Sequence, residues 1–357
     1  LEQVMEPIIG MDEPYHYRNK AQFPVGRDRE GRTVTGFYAG RTHTIIPNRN
    51  CLLGMPMNEK ILETVLSFME KYRIEPYDEK TNRGVVRHVL TRYGHTTKEW
   101  MVCLVINRTK LPHADALVEE LVKLEGMTSI SININQKNTN VILGEKVETL
   151  WGSPYITDYI HLRTGADWQV EGDGIAYRIS PQSFYQVNPV QTEILYKTAI
   201  EYAGLGRKET VIDAYCGIGT IGLVAAKRAK NVIGVELNPD AVRDARINAK
   251  ENKITNARFY QGDAGEFMEN MAENGEHADV VFMDPPRTGS DKKFMSSVIK
   301  LNPSRIVYIS CGPETLARDL EYLTKHGYDV RKIQPVDMFS FTDHCENICL
   351  LTKKFEK

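Results

Sequence analysis

From Thr210 onward, apolar runs of five to seven residues alternate with segments whose apolar positions recur every three to four residues. The short runs are Thr210–Ala214, Asn231–Glu236, Ala257–Gln261, Ala278–Asp284, Arg305–Ser310, Asp329–Pro335 and Glu346–Thr352. Helical spacing fills several of the intervals, as in Ile221–Ala229, Pro239–Asn252 and Pro313–His326. Near-continuous apolar runs separated by amphipathic helices predict an α/β fold with a doubly wound, seven-stranded parallel sheet. No helical pattern separates the last two runs, so one of them is expected to insert antiparallel.

The preceding residues follow another pattern. Ile61–Arg73 and Ala114–Leu124 have helical spacing, whereas Val85–Tyr93, Trp100–Asn107, Ser129–Asn135 and Val141–Leu143 read as strands. This order predicts a smaller α+β domain, with the Gly-rich stretch Thr157–Ser180 as the link. The expected division is residues 1–180 and 181–357. The chain opens on Leu and shows no charged-then-apolar leader, so it reads as a fragment lacking an N-terminal region.

Composition narrows the function classes. The 357 residues carry a net charge of −2, and no stretch approaches the roughly 18 apolar residues of a membrane span. Charge is nevertheless uneven. Between Tyr15 and Asn50, Arg18, Lys20, Arg27, Arg29, Arg32, Arg41 and Arg49 face only Asp28 and Glu30, and Arg83, Arg87, Arg92 and Lys98 follow with no acid among them. With Phe23, Phe37, Tyr38 and Tyr93 interleaved, these runs point the smaller domain toward RNA. The six cysteines are too scattered for a disulfide scaffold, so a reducing, cytoplasmic setting is expected.

The chemistry gathers at the ends of the predicted strands. Asp213-Ala-Tyr-Cys-Gly217-Ile-Gly219-Thr220-Ile-Gly222 follows a strand and opens a helix, and Glu236 ends the next strand where it could accept from ribose hydroxyls. This fits a nicotinamide cofactor and S-adenosyl-L-methionine (SAM) equally. Asp284-Pro-Pro-Arg287 puts an acid and a stiff, donor-poor loop at the same sheet edge, which suits SAM enzymes acting on planar nucleobases. Cys311, in Ser310-Cys-Gly-Pro313, sits at a strand-to-helix turn where a helix dipole would favour its thiolate. Carbon 5 of uracil is a poor nucleophile until a thiolate adds at carbon 6, and a base must later remove the carbon 5 proton. Glu346, in His344-Cys-Glu346, could be that base.

Together Ser310-Cys-Gly-Pro313, Thr315-Leu-Ala-Arg-Asp319, Asp284-Pro-Pro-Arg287, His344-Cys-Glu346, Ser183-Phe-Tyr-Gln186-Val-Asn188 and Tyr17-Arg-Asn-Lys20 resemble the RNA (uracil-5-)-methyltransferases. The resemblance implies a class I (Rossmann-like) SAM methyltransferase sheet, Cys311 as nucleophile and Glu346 as base. It also implies SAM contacts at Gln186, Tyr215, Gly217, Gly219, Thr220, Glu236, Asp263 and Asp284. The family carries Asn after the cysteine, where this chain has Gly312. Members of the ribosomal-RNA branch carry an N-terminal TRAM domain and a [4Fe-4S] cluster. Cys51 resembles the fourth cluster ligand, with the other three expected before residue 1. The expected substrate is 23S ribosomal RNA, with transfer RNA second, and the expected state is a monomer. Outside this class stand an NAD-dependent oxidoreductase, which would leave Cys311 and Glu346 idle, and a non-catalytic RNA-binding module.

Overall fold

A computed structural model describes residues 2–164 and 169–354. The chain divides into two compact units: a larger one of Leu1–Asp12, Ile160–Tyr177 and Ser183–Lys357, and a smaller one of Glu13–Tyr159 and Arg178–Gln182. This differs from a single cut at 180. The first residues return to the larger unit because main-chain bonds tie Glu6 and Ile9 to the carbonyls of Ile333 and Pro335.

The smaller unit is built from β1 (Lys20–Arg27), β2 (Thr33–Tyr38), β3 (Ile45–Pro47), α1 (Met57–Lys71), β4 (Val86–Tyr93), β5 (Trp100–Ile106), α2 (Ala114–Leu121), β6 (Met127–Ile134) and β7 (Lys146–Gly152). Its sheet order is β3-β2-β1-β4-β5-β6-β7, antiparallel except for the β5–β6 pair that α2 crosses. Period-two alternation sends Phe23, Val89, Val102, Leu104, Ile130 and Ile132 into one core with α1 and α2. The expected strand at Val141–Leu143 does not form. The Asn135 side chain takes up the Val141 and Ile142 carbonyls at 2.7 and 3.0 Å, so side-chain bonds replace the ladder there.

The basic runs of this unit are largely spoken for. Arg27 pairs with Glu75, Arg32 with Asp28 and Glu30, and Arg49 with Glu63. Arg87 is buried and donates to the carbonyls of Asn135 and Lys137, and Arg92 is buried too. Lys20 faces Arg92 across the β1–β4 ladder, and burial beside Arg92 and Arg18 pushes its ammonium down to about 7. Phe23 is fully buried against Phe37 and offers no stacking surface. Arg29, Arg41 and Arg83 stay exposed.

Two strands, β8 (Ile156–Thr164) and β9 (Gln169–Ile179), pair with each other and carry the chain onward. The larger unit continues with α3 (Pro189–Ala203), β10 (Thr210–Ala214), α4 (Thr220–Ala226), β11 (Asn231–Glu236), α5 (Pro239–Glu251), β12 (Ala257–Gln261), α6 (Ala264–Glu273), β13 (Val280–Met283), α7 (Lys292–Leu301), β14 (Arg305–Ser310), α8 (Pro313–Lys325), β15 (Tyr328–Val336) and β16 (Glu346–Lys353). Its sheet order is β12-β11-β10-β13-β14-β16-β15, and β16 inserts antiparallel between β14 and β15 as expected. Helix starts follow their sequence signals: Asn188, Asn238, Asp263 and Asp291 cap α3, α5, α6 and α7 through their side chains. All four residues of β13 are buried, because helices cover both faces of the central strands. The N-terminal arm bridges to β15 at Met5 and Ile9, while β12 forms the opposite edge of the sheet. Among the described residues no helix is long and apolar enough to cross a membrane.

Candidate active site

In an open parallel sheet the loops after the strands gather at one edge, and functional side chains collect there. The first such loop leaves β10. Tyr215 and Gly219 adopt left-handed backbone with φ of 64° and 85°. A β-carbon on Gly219 would stand 3.0 Å from the Phe259 ring, so glycine is required both for the turn and for the close approach. Asp213 is buried, and its carboxylate accepts the Gly222 N–H at 2.7 Å, serving the first turn of α4. Burial pushes its carboxyl up to about 8, with Asp284 and Glu236 adding repulsion.

Glu236 ends β11. One carboxylate oxygen accepts the Gly217 N–H at 3.1 Å and the other the Asn238 N–H at 2.9 Å. These bonds fix the carboxylate at the rim of a cleft of about 430 Å3, open mouth included, lined by Tyr215, Glu236, Leu237, Asp263 and Phe294 among others. Asp263 caps α6 through the Glu266 N–H at 2.9 Å and borders the same cleft. Phe294 lies 5.0 Å from the Tyr215 ring, and Leu237 is 63% exposed although it is a large apolar side chain. Neither was flagged by the sequence reading. An apolar residue directly after a strand-ending acid was the available signal for Leu237, whereas Phe294 comes from a helix far along the chain.

The predicted cofactor residues thus fall into two sets. Tyr215, Glu236 and Asp263 line the cleft, and Gly217 and Gly219 shape its loop. Thr220 is engaged behind the loop: its hydroxyl takes the Tyr196 hydroxyl at 3.1 Å and its carbonyl takes that of Tyr177 at 3.0 Å. Gln186 is buried in the segment leading to α3 and is not part of the cleft lining. The donor set fits SAM, since a cationic sulfonium and ammonium suit a cleft lined by Glu236 and Asp263, and adenine suits Leu237 and Phe294.

The second cluster sits where β13 and β14 end and β16 begins. Ser310 pairs with Asn347 in the antiparallel β14–β16 ladder, so one step further Cys311 and Glu346 meet at its end. Glu346 is only 5% exposed; burial first, then Asp284, pushes its carboxyl up to about 8. Burial likewise holds Asp284 up at about 7. The Cys311 thiol is raised by burial and by Glu346 and Asp284, while Arg287 lowers it. The expectation that the helix dipole would favour the thiolate is therefore corrected: desolvation and the neighbouring acids win, and Arg287 is the opposing charge. Arg287 moderates Glu346 as well.

The nucleophile loop is anchored without the asparagine of the family pattern. Gly312 caps α8 with φ of −123°, and Thr315 Oγ1 donates to the Gly312 carbonyl at 2.9 Å and the Arg287 carbonyl at 3.2 Å. Asp319 is fully buried and accepts the Tyr308 hydroxyl at 2.6 Å and the Ser290 N–H at 2.8 Å, tying the Asp284–Ser290 loop to α8.

Cys51 belongs to the smaller unit, is half-buried and is not disulfide-bonded. Among the described residues no three His, Cys, Asp or Glu side chains gather as a metal site. One thiolate does not make a four-cysteine cluster site, so the residues present do not fit the cluster.

Known proteins match the chain over most of its length. A sequence model of the tRNA (uracil-5-)-methyltransferase family matches residues 155–354. Proteins named as RNA methyltransferases in Listeria innocua and Halalkalibacterium halodurans are 45% and 46% identical, over 97% and 98% of this chain and 74% of their own. The crystal structure of Pyrococcus abyssi tRNA (uracil-54, C5)-methyltransferase with S-adenosyl-L-homocysteine superposes with a TM-score of 0.78 at 27% identity, covering 97% of this chain and 78% of that one. The family match and these relatives place this chain in the RNA (uracil-5-)-methyltransferase family, as a SAM-dependent RNA methyltransferase.

Proposed function

We propose that the protein methylates carbon 5 of a uridine in RNA, with Cys311 as nucleophile and Glu346 as proton acceptor. The observation that carries this reading is the meeting of Cys311 and Glu346 at the end of the β14–β16 ladder, beside Asp284 and Arg287. The target base leaves its stack to reach them. Cys311 Sγ adds to carbon 6 of the uracil, and the electron pair released into the ring makes carbon 5 nucleophilic. Bound SAM supplies the electrophilic methyl group. Glu346 then takes the carbon 5 proton, the C5–C6 double bond re-forms and the thiolate departs. Arg287 stabilises the Cys311 thiolate before attack. Tyr215, Glu236, Leu237, Asp263 and Phe294 hold the cofactor, Asp284 borders the reacting centre, and Gln186 and Thr220 support the site from behind. The smaller unit serves as an RNA-facing domain.

The substrate we favour is 23S ribosomal RNA. A specific observation supports transfer RNA as the second reading: the similar Pyrococcus enzyme acts on uracil 54 of tRNA. Protein incubated with labelled SAM and unmodified RNA of each kind, followed by mass spectrometry of the nucleosides, tests both. 5-Methyluridine in ribosomal RNA alone supports the reading, and its appearance in transfer RNA alone reverses the choice of substrate. Its absence from both, with SAM binding verified, overturns the proposed chemistry.

A further inference from the structure

We infer that the open flank of the larger unit, where α5 ends and β12 begins, is a second RNA-contacting surface that grips the phosphodiester backbone away from the target uridine. It rests on RNA being the substrate. A groove of about 960 Å3, open mouth included, is lined there by Arg246, Lys250, Lys253, Arg258 and Tyr260 among other residues, and by no acid. Lys250, Lys253 and Arg258 are exposed, and the ion pairs among the described residues do not include them. The chain as a whole carries −2, yet residues 246–260 carry four cations against the single acid Glu251. Tyr260 is 38% exposed and offers a ring on which a base can stack.

Ordinary structural causes leave part of this unexplained. The dipole of α5 accounts for cations near its end, such as Lys250, but not for Arg258 on the edge strand. Arg246 is anchored by two bonds to the Phe259 carbonyl, at 3.0 and 2.6 Å, which holds a guanidinium in the wall of the groove. Lys253 follows the helix cap Asn252 in left-handed backbone, φ 55°, where glycine is the usual occupant. A lysine in that conformation is strained, and the side chain so placed lines the groove.

The flank is also available. The opposite edge of the sheet, at β15, is bridged by the N-terminal arm at Met5 and Ile9, whereas β12 pairs only with β11 among the described residues. A concave groove lined by exposed cations and a tyrosine, with no acid in its lining, matches the recognition of a single strand or loop through phosphates and one stacked base.

The test measures binding of a fluorescein-labelled single-stranded RNA by the full chain across a salt series. With Lys250, Lys253 and Arg258 all changed to Gln, affinity at 0.15 M salt falls by about tenfold or more, and the slope of log K against log salt becomes shallower by about 2. SAM affinity, measured in parallel, stays constant and reports an intact fold. Lys253→Gly alone removes one charge while relieving the left-handed strain, so it weakens RNA binding several-fold without lowering the melting temperature. Wild-type binding together with an unchanged affinity and slope in the triple variant overturns the groove and leaves the RNA reading standing. A wild-type protein that bound no RNA would remove both.

Discussion

The two ends of one sheet treat charge in opposite ways. Where β13 and β14 end and β16 begins, Asp284 and Glu346 are desolvated and pushed up to about 7 and 8, with Arg287 as the cation acting on Glu346 and Cys311. Where α5 ends and β12 begins, Lys250, Lys253 and Arg258 stand exposed to water. Burial disfavours the charged form of a carboxyl and moves its titration up toward neutral pH, where an acid can both take up and release a proton. Exposure keeps a charge permanent, which is what a phosphate backbone needs.

The contrast breaks most sharply at the nucleophile. Cys311→Ala should lower methyl transfer by roughly 10⁴-fold or more while leaving SAM binding intact, since it removes the proposed nucleophile and touches no residue of the cofactor cleft. Labelled-methyl incorporation measures it, and residual activity near wild type would sink the covalent route. Glu346→Gln should cost about 10²–10⁴-fold, and here the covalent RNA adduct should accumulate and survive denaturing electrophoresis. With Cys311 raised above its ordinary value and Glu346 near 8, kcat/KM should climb as pH rises from 7 toward 9; a flat profile would mean the substrates retune both groups.

Stability sharpens the same contrast. A β-carbon at Gly222 would stand 2.8 Å from Asp213 Oδ2, so Gly222→Ala should cost about 1–3 kcal/mol in denaturant unfolding. Glu346 ionises near 4.5 when unfolded but near 8 when folded. Between those values the folded protein keeps a proton that the unfolded chain has lost, so stability falls as pH rises through that window and stays lower above it. Glu346→Gln abolishes this term and should be more stable than wild type at pH 9 by about 1–3 kcal/mol, with the gap closing below pH 5. The smallest effect belongs to the paired surface cations: Arg32→Gln should change stability by less than about 0.5 kcal/mol and leave the salt slope of RNA binding nearly unchanged.

The sheet was legible because buried strands and capped helices leave local marks. Thr210–Ala214, Asn231–Glu236, Ala257–Gln261 and Arg305–Ser310 appear with their predicted ends, and Pro239 and Pro313 open α5 and α8. The first strands of the smaller unit, β1 to β3, left weaker marks, since they mix glycine, proline and charge. The Val141–Leu143 strand failed because local apolarity does not reveal a competing hydrogen-bond partner such as Asn135.

By itself the sequence determined the class of fold, the sheet edge where the candidate site residues collect, and the residue types that the proposed uracil methylation calls on. Those follow from periodicity, glycine and proline placement, and the side-chain chemistry of cysteine and glutamate. Only the tertiary structure decided which charges are free. It paired Arg27, Arg32 and Arg49 with acids, buried Arg87 and Arg92, raised Glu346 and Asp284, and left the cations beside β12 in solvent. Desolvation and pairing depend on residues brought together from distant parts of the chain, and no local run of letters carries that information.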